Sequence, residues 1–227
     1  MKRDTAAMRR WIDSHREDYA HVKRRLDATR NVVLHGRADR ATAIVKRAYT
    51  FAVFSIQTPL DRHERAFTEY YTGAADLEDA CSTTVYGGHK VNWISKTFDT
   101  TNWGDVVGMI RSYVATDNYA ALLDFIDDEL TGVSYVKGAF MLAMSGLTEY
   151  LCIDSNVANY AGLDVSTGNA LTFTSGKDYM STCDDVISGL DVDMAPFVIQ
   201  WAIYDSERGE HARHGAFYRE IGIYPKT

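Results

Sequence analysis

The chain has 227 residues, 46% of them hydrophobic, and a net charge of −7, which suits one large or two small globular domains with an ordinary core. Three prolines among many Ala, Leu and Met residues favour a mainly helical protein, no stretch has the apolar length of a membrane span, and the start Met1-Lys2-Arg3-Asp4 is too charged for a secretory leader. Cys81, Cys152 and Cys183 are far apart and lack metal-ligand spacing, which argues against a zinc or iron–sulfur site and for reduced thiols in a cytoplasmic protein that needs no cofactor.

Residues 4 to about 29 predict a charged helix with a thin apolar stripe of Met8, Trp11, Ile12, Tyr19, Val22 and Leu26. Residues 1–47 hold 13 Lys and Arg against 6 Asp and Glu, whereas the remainder holds 11 against 25. A basic face on an acidic body suits a phosphate-bearing partner, and a solvated charged helix explains the same count. Residues 39–56 read as a second, more apolar helix that stops at Gln57-Thr58-Pro59, with Pro59 in the first turn of the next one, Leu60–Tyr71. Gly73 ends that helix and a short one follows over 75–82.

A glycine turn, Val85-Tyr86-Gly87-Gly88-His89-Lys90, leads into a helix over 91–101 that Asn102-Trp103-Gly104 breaks. Two more helices, 105–115 and 118–130, precede the tight turn Thr131-Gly132-Val133-Ser134 and an almost uncharged apolar run from Tyr135 to Leu147. The chain then emerges through Leu151-Cys152-Ile153 onto Asp154, just ahead of Ser155-Asn156-Val157 at a predicted helix start. Asp154 there is either a helix N-cap or an acid held at the mouth of a pocket. A polar loop after Gly162, with a short extended piece at 170–174, two helices over about 177–189 and 194–206, and a basic, histidine-bearing tail complete the chain.

Three segments, in order, resemble the helix-hairpin-helix DNA glycosylase superfamily, which includes the endonuclease III and archaeal 8-oxoguanine glycosylase branches. Phe54-Ser55-Ile56-Gln57-Thr58, with Asp61 and Ala66-Phe67, is similar to the family's leucine-serine-x-glutamine-threonine helix end. Val85–Lys90, with Ile94 and Lys96-Thr97, is similar to its glycine-x-tyrosine-x-x-lysine-alanine segment. Leu130–Ser134 stands where the family has its leucine-proline-glycine-valine-glycine hairpin, and Cys152–Val157 where it has valine-aspartate-threonine-histidine-valine. Phe197–Asp205 adds a fainter echo of the archaeal branch, and the resemblance spans roughly residues 40–205. Each motif is unspecific alone; their order and spacing carry the resemblance.

The resemblance implies an all-α, two-lobed fold with a central cleft, residues 1–57 and 151–227 forming one lobe and 58–150 the other, with the hairpin at 130–147. It implies a monomer that binds duplex DNA and flips a nucleotide. Asp154 would be the catalytic carboxylate, Gln57 with Thr58 would probe the stack, and Gly132, Val133 and Ser134 would anchor a phosphate, with Lys90 and His89 as further DNA contacts. The family's Schiff-base lysine falls at Val136; Lys137 lies one residue on, about 100° around a helix, and reads equally as a catalytic group, a phosphate contact or a solvent-facing residue. Ser134 and Thr131 depart from the hairpin pattern. The implied activity is a mainly monofunctional N-glycosylase. One alternative is a glycosylase-fold transferase of phage type that adds an amino acid or amine to a hypermodified thymine; another is a DNA-binding module without catalysis.

Overall fold

The structure, a computed structural model, describes residues 4–163, 171–188, 190 and 192–208. The described residues are all-helical. In chain order the helices are α1 (Thr5–Ser14), α2 (Arg16–His35), α3 (Ala38–Phe54), α4 (Leu60–Thr72), α5 (Leu77–Ser82), α6 (Gly87–Thr100), α7 (Trp103–Ala115), α8 (Tyr119–Glu129), α9 (Tyr135–Met144), α10 (Ser155–Ala161), α11 (Gly176–Ile187) and α12 (Pro196–Arg208). No described helix is long and apolar enough to cross a membrane.

The single helix expected over 4–29 is two helices. The Ser14 hydroxyl and the His15 ring both donate to the Trp11 carbonyl, so the His15 amide turns to Ile12 instead and the ladder breaks. The helix from 91 starts earlier, at Gly87, because Tyr86 takes a left-handed conformation (φ 58°) that turns the chain into it. Asn102 starts α7 rather than merely breaking α6, its side chain accepting from the Gly104 amide at 3.1 Å. Leu171–Thr174 forms no strand; residue 170, the rest of the polar loop to 164 and the tail beyond 208 lie outside the described residues.

The centre is α3. Its last turns, Tyr49-Thr50-Phe51-Ala52-Val53-Phe54, are buried on every side, as a helix without a polar face must be. Around it pack α2, α4, α6, α7 and α9. α9 carries one charge, Lys137, in an otherwise apolar sequence, and lies against α3. It ends at Met144, before the expected Leu147, because α2 passes too close: at Gly146 (φ 96°) a Cβ would sit 2.4 Å from the Arg30 amide nitrogen. Beside that crossing Arg30 pairs with Glu149 at 2.7 Å, and Tyr119 donates to the same carboxylate at 2.9 Å. α1 and α10 pack on α12, and α11 on α8.

Candidate active site

The hairpin between α8 and α9 is fixed from beneath. Gly132 has φ 85°, and a Cβ there would lie 2.7 Å from the Trp93 ring of α6, so only glycine allows both the left-handed turn and the indole under it. The fully buried Tyr49 donates its hydroxyl to the Thr131 carbonyl at 2.8 Å, tying the turn to α3. Val133 points into the core. Ser134 is exposed at the start of α9 and its side chain makes no capping bond. The amides of Tyr135, Val136 and Lys137 find no acceptor among the described residues. Free amides at the positive end of a helix suit an anion and read no base sequence.

The end of α3 forms the second part. Lys90, expected on the DNA, is instead fully buried, its ammonium donating to the Phe54 carbonyl (2.8 Å), the Ile56 carbonyl (2.9 Å) and the Thr58 hydroxyl (2.7 Å). Burial and the nearby charge of Lys137 bring its pKa down to about 8, so at neutral pH it remains a cation that caps the helix end. Thr58 is likewise internal: it accepts from Lys90 and from the Val85 amide and donates to the Ile56 carbonyl. Both are corrections, and the cause is shared. Three backbone and hydroxyl acceptors exposed by the end of α3 need a donor, and Lys90 satisfies them from the neighbouring helix. What this clamp presents outward is Gln57, exposed and held at φ 49°, a conformation a non-glycine residue rarely adopts.

Lys137 points to the same helix end. Its Nζ donates to the Ser55 Oγ at 2.9 Å and lies 5.4 Å over the Phe140 ring, with the side chain half-buried. It is therefore not a solvent-facing residue. Its two other N–H bonds have no acceptor among the described residues, in contrast to Lys90. The buried His63 of α4 sits within reach of both lysine charges; burial first, then Lys137 and Lys90, hold its pKa down to about 3.

Asp154 is the N-cap of α10. One oxygen, Oδ1, accepts from the Asn156 and Val157 amides at 2.9 Å each, and Oδ2 accepts no hydrogen bond among the described residues. The cap and the acid are thus compatible readings: the first uses one oxygen and leaves the other. The approach to Asp154 is braced on two sides. Tyr179 of α11 donates to the Leu151 carbonyl at 2.7 Å and accepts from the Ile153 amide at 3.1 Å, and Gln200 of α12 accepts from the Cys152 amide at 3.4 Å. The thiol of Cys152 feels both charged groups. Burial pushes its pKa up to about 12, with Lys137 lowering and Asp154 raising it, so the lysine of the hairpin helix and the carboxylate of α10 face one neighbourhood.

His89 lies on the exposed face of α6, stacked at 5.8 Å on Trp93, the indole beneath the hairpin, and set edge-on to the half-exposed Tyr86 at 6.3 Å. A cavity of about 360 Å³ between α1, α2 and residues 192–198 is lined by neither Asp154 nor Lys137. Among the described residues no group of three or more His, Cys, Asp or Glu could hold a metal. Sequence reading missed Ser55 as the partner of Lys137 and Tyr179 as the brace of Asp154. Ser55 stood in a quoted motif; Tyr179 carried no signal, being one tyrosine among 14.

The all-helical body of the described residues is a fold shared with a DNA glycosylase of known structure. Among solved structures, this chain is similar to Tm1821, the 8-oxoguanine DNA glycosylase of Thermotoga maritima, with a TM-score of 0.64 over 90% of this chain and 97% of that one, at 13% sequence identity. No protein-family model matches the sequence, and no curated protein does.

Proposed function

We propose that the chain acts on a base extruded from duplex DNA, and that it is an N-glycosylase with little lyase activity. The observation that carries this is Asp154: a carboxylate fixed by two amides through one oxygen, the other accepting no hydrogen bond among the described residues, on a segment braced by Tyr179. In that reading the hairpin amides hold a phosphate and Gln57 fills the vacated stack. As the bond between base and sugar C1′ breaks, the electron pair leaves with the base. The Asp154 carboxylate stabilises the cationic sugar and takes a proton from the water whose oxygen bonds to C1′. The fold shared with Tm1821 supports the reading. Binding as a monomer belongs to the same proposal.

The transferase reading uses the same residues and is favoured by Lys137, whose Nζ is tied to Ser55 rather than presented as a free amine. One experiment separates the readings. The protein is incubated with modified and unmodified duplex DNA, the DNA is digested to nucleosides, and the products are analysed by mass spectrometry. A free base with an abasic site is expected, at a rate reduced at least a thousandfold in Asp154→Asn, which keeps the cap but loses the charge. An altered base in intact DNA selects the transferase. Unchanged DNA, or an Asp154→Asn variant with wild-type turnover, overturns the proposal.

A further inference from the structure

Two lysines converge on one turn of this protein. Lys90 grips the Phe54 and Ile56 carbonyls from inside; Lys137 grips the Ser55 hydroxyl, on the residue between them. No ion pair among the described residues includes either one. The third ionisable neighbour, His63, is buried and uncharged at neutral pH, its pKa held at about 3. In a chain of net charge −7, placing two ammonium groups around one serine raises the energy of the free protein unless an anion joins them.

The two lysines differ in what they have left to give. All three N–H bonds of Lys90 are engaged, so it contributes only charge. Lys137 spends one on Ser55. The Ser55 hydroxyl donates its own proton to the Ala52 carbonyl at 2.7 Å, so its lone pair is fixed toward Lys137 and orients the ammonium. Phe140 under the Nζ blocks one side. The corner is reached from outside, since Ser55, Ile56 and Lys137 are half-buried and Gln57 beside them is exposed.

We propose that the corner formed by Lys137 and Ser55, with the charge of Lys90 behind it, is an oxyanion-binding subsite for a phosphate ester or carboxylate carried by the substrate. The two uncommitted N–H bonds of Lys137 meet the oxyanion, and Ser55 is the positioning residue that aims them. Lys137 belongs to the first turn of α9, whose amides form the phosphate anchor, but its Nζ is held by Ser55 at the end of α3, and it is Ser55 that sets this subsite apart from that anchor. It deepens the reading above and rests on it for what carries the anion, whereas anion binding itself needs no DNA.

The test is calorimetric titration of the full chain with inorganic phosphate and, separately, with acetate, at low and matched ionic strength in chloride. A saturable site is expected that weakens about tenfold in Lys137→Gln and about threefold in Ser55→Ala and is unchanged in Lys96→Gln, an exposed lysine on α6. A preference for phosphate assigns a phosphate ester and a preference for acetate assigns a carboxylate. Each variant is checked by helical circular dichroism, and Ser55→Ala, the smaller change, decides the matter if Lys137→Gln does not fold. No saturable binding, or binding equal in wild type and Ser55→Ala, overturns the proposal. Anion binding without any DNA product sinks the DNA reading and leaves the subsite standing; a DNA product without anion binding does the reverse.

Discussion

Tyr179→Phe isolates the device that delivers Asp154. The hydroxyl is removed and nothing else: the ring keeps its edge contact with Phe173 at 4.6 Å and its stack with Tyr135 at 6.5 Å, so no sizeable cavity opens. Two hydrogen bonds go with it. The bond to the Leu151 carbonyl is worth about 1 kcal/mol, and that carbonyl keeps a weak donor in the Cys183 thiol at 3.6 Å. The Ile153 amide, on a residue 2% exposed, is left without its acceptor, at a cost of about 1–2 kcal/mol. The total is about 2–3 kcal/mol, or a fall in melting temperature of about 5–10 °C for a chain of this size. Urea unfolding should show the same loss at an unchanged slope, because the surface exposed on unfolding is the same. Turnover on duplex substrate at 25 °C, where the variant is still folded, should fall by about ten- to a hundredfold, since a carboxylate misplaced by about 1 Å loses that much. A stability loss below about 1 kcal/mol with wild-type turnover would refute the claim that Tyr179 braces the site.

Salt dependence separates the two lysines: Lys90→Met should leave the slope of log affinity against log salt unchanged, whereas Lys137→Gln should reduce it by about one when DNA occupies the corner. Borohydride should trap no covalent complex with substrate DNA, because Val136 stands at the nucleophile position and the Nζ of Lys137 is bound to Ser55; efficient trapping lost in Lys137→Ala would reverse this. The chain should lose stability in mild acid through His63. Its folded pKa of about 3 lies below the ordinary 6.5, so the stabilisation is present above pH 6.5 and is lost as pH falls toward 3, by about 2.5–3 kcal/mol at pH 4.5. His63→Gln, compared by urea unfolding at pH 7 and 4.5, should remove most of that difference.

Helix content was legible because α3, α8 and α9 each show an unbroken apolar pattern between clear turn residues, and Asp154 was legible because capping and acid chemistry need the same residue at the same place. The break at His15 was not. It depends on two side chains capturing one carbonyl, which no periodicity encodes. Lys90 misled for a related reason. A lysine at the end of a glycine turn resembles a surface phosphate contact until the end of α3 is seen to open toward it, and only the tertiary arrangement supplies the three acceptors that draw it in. Motif matching placed Ser55 and Lys137 in separate segments, 82 positions apart, and had no means of joining them.

The site follows from how helix ends are satisfied. A helix leaves carbonyls at one end and amides at the other, and a buried end must find partners or become a liability. In this chain the end of α3 takes a lysine from α6, and the start of α10 takes one oxygen of its own aspartate. The start of α9 takes no partner among the described residues. Two of these three ends are closed internally and one is left open, and among the described residues the Lys137 ammonium keeps two N–H bonds and the Asp154 carboxylate one oxygen without a partner. Closing the first two gives those groups fixed positions. Leaving the third open supplies the positive edge that an incoming polyanion would need, so the same local requirement that terminates three helices also arranges the groups on which DNA and its base would be handled.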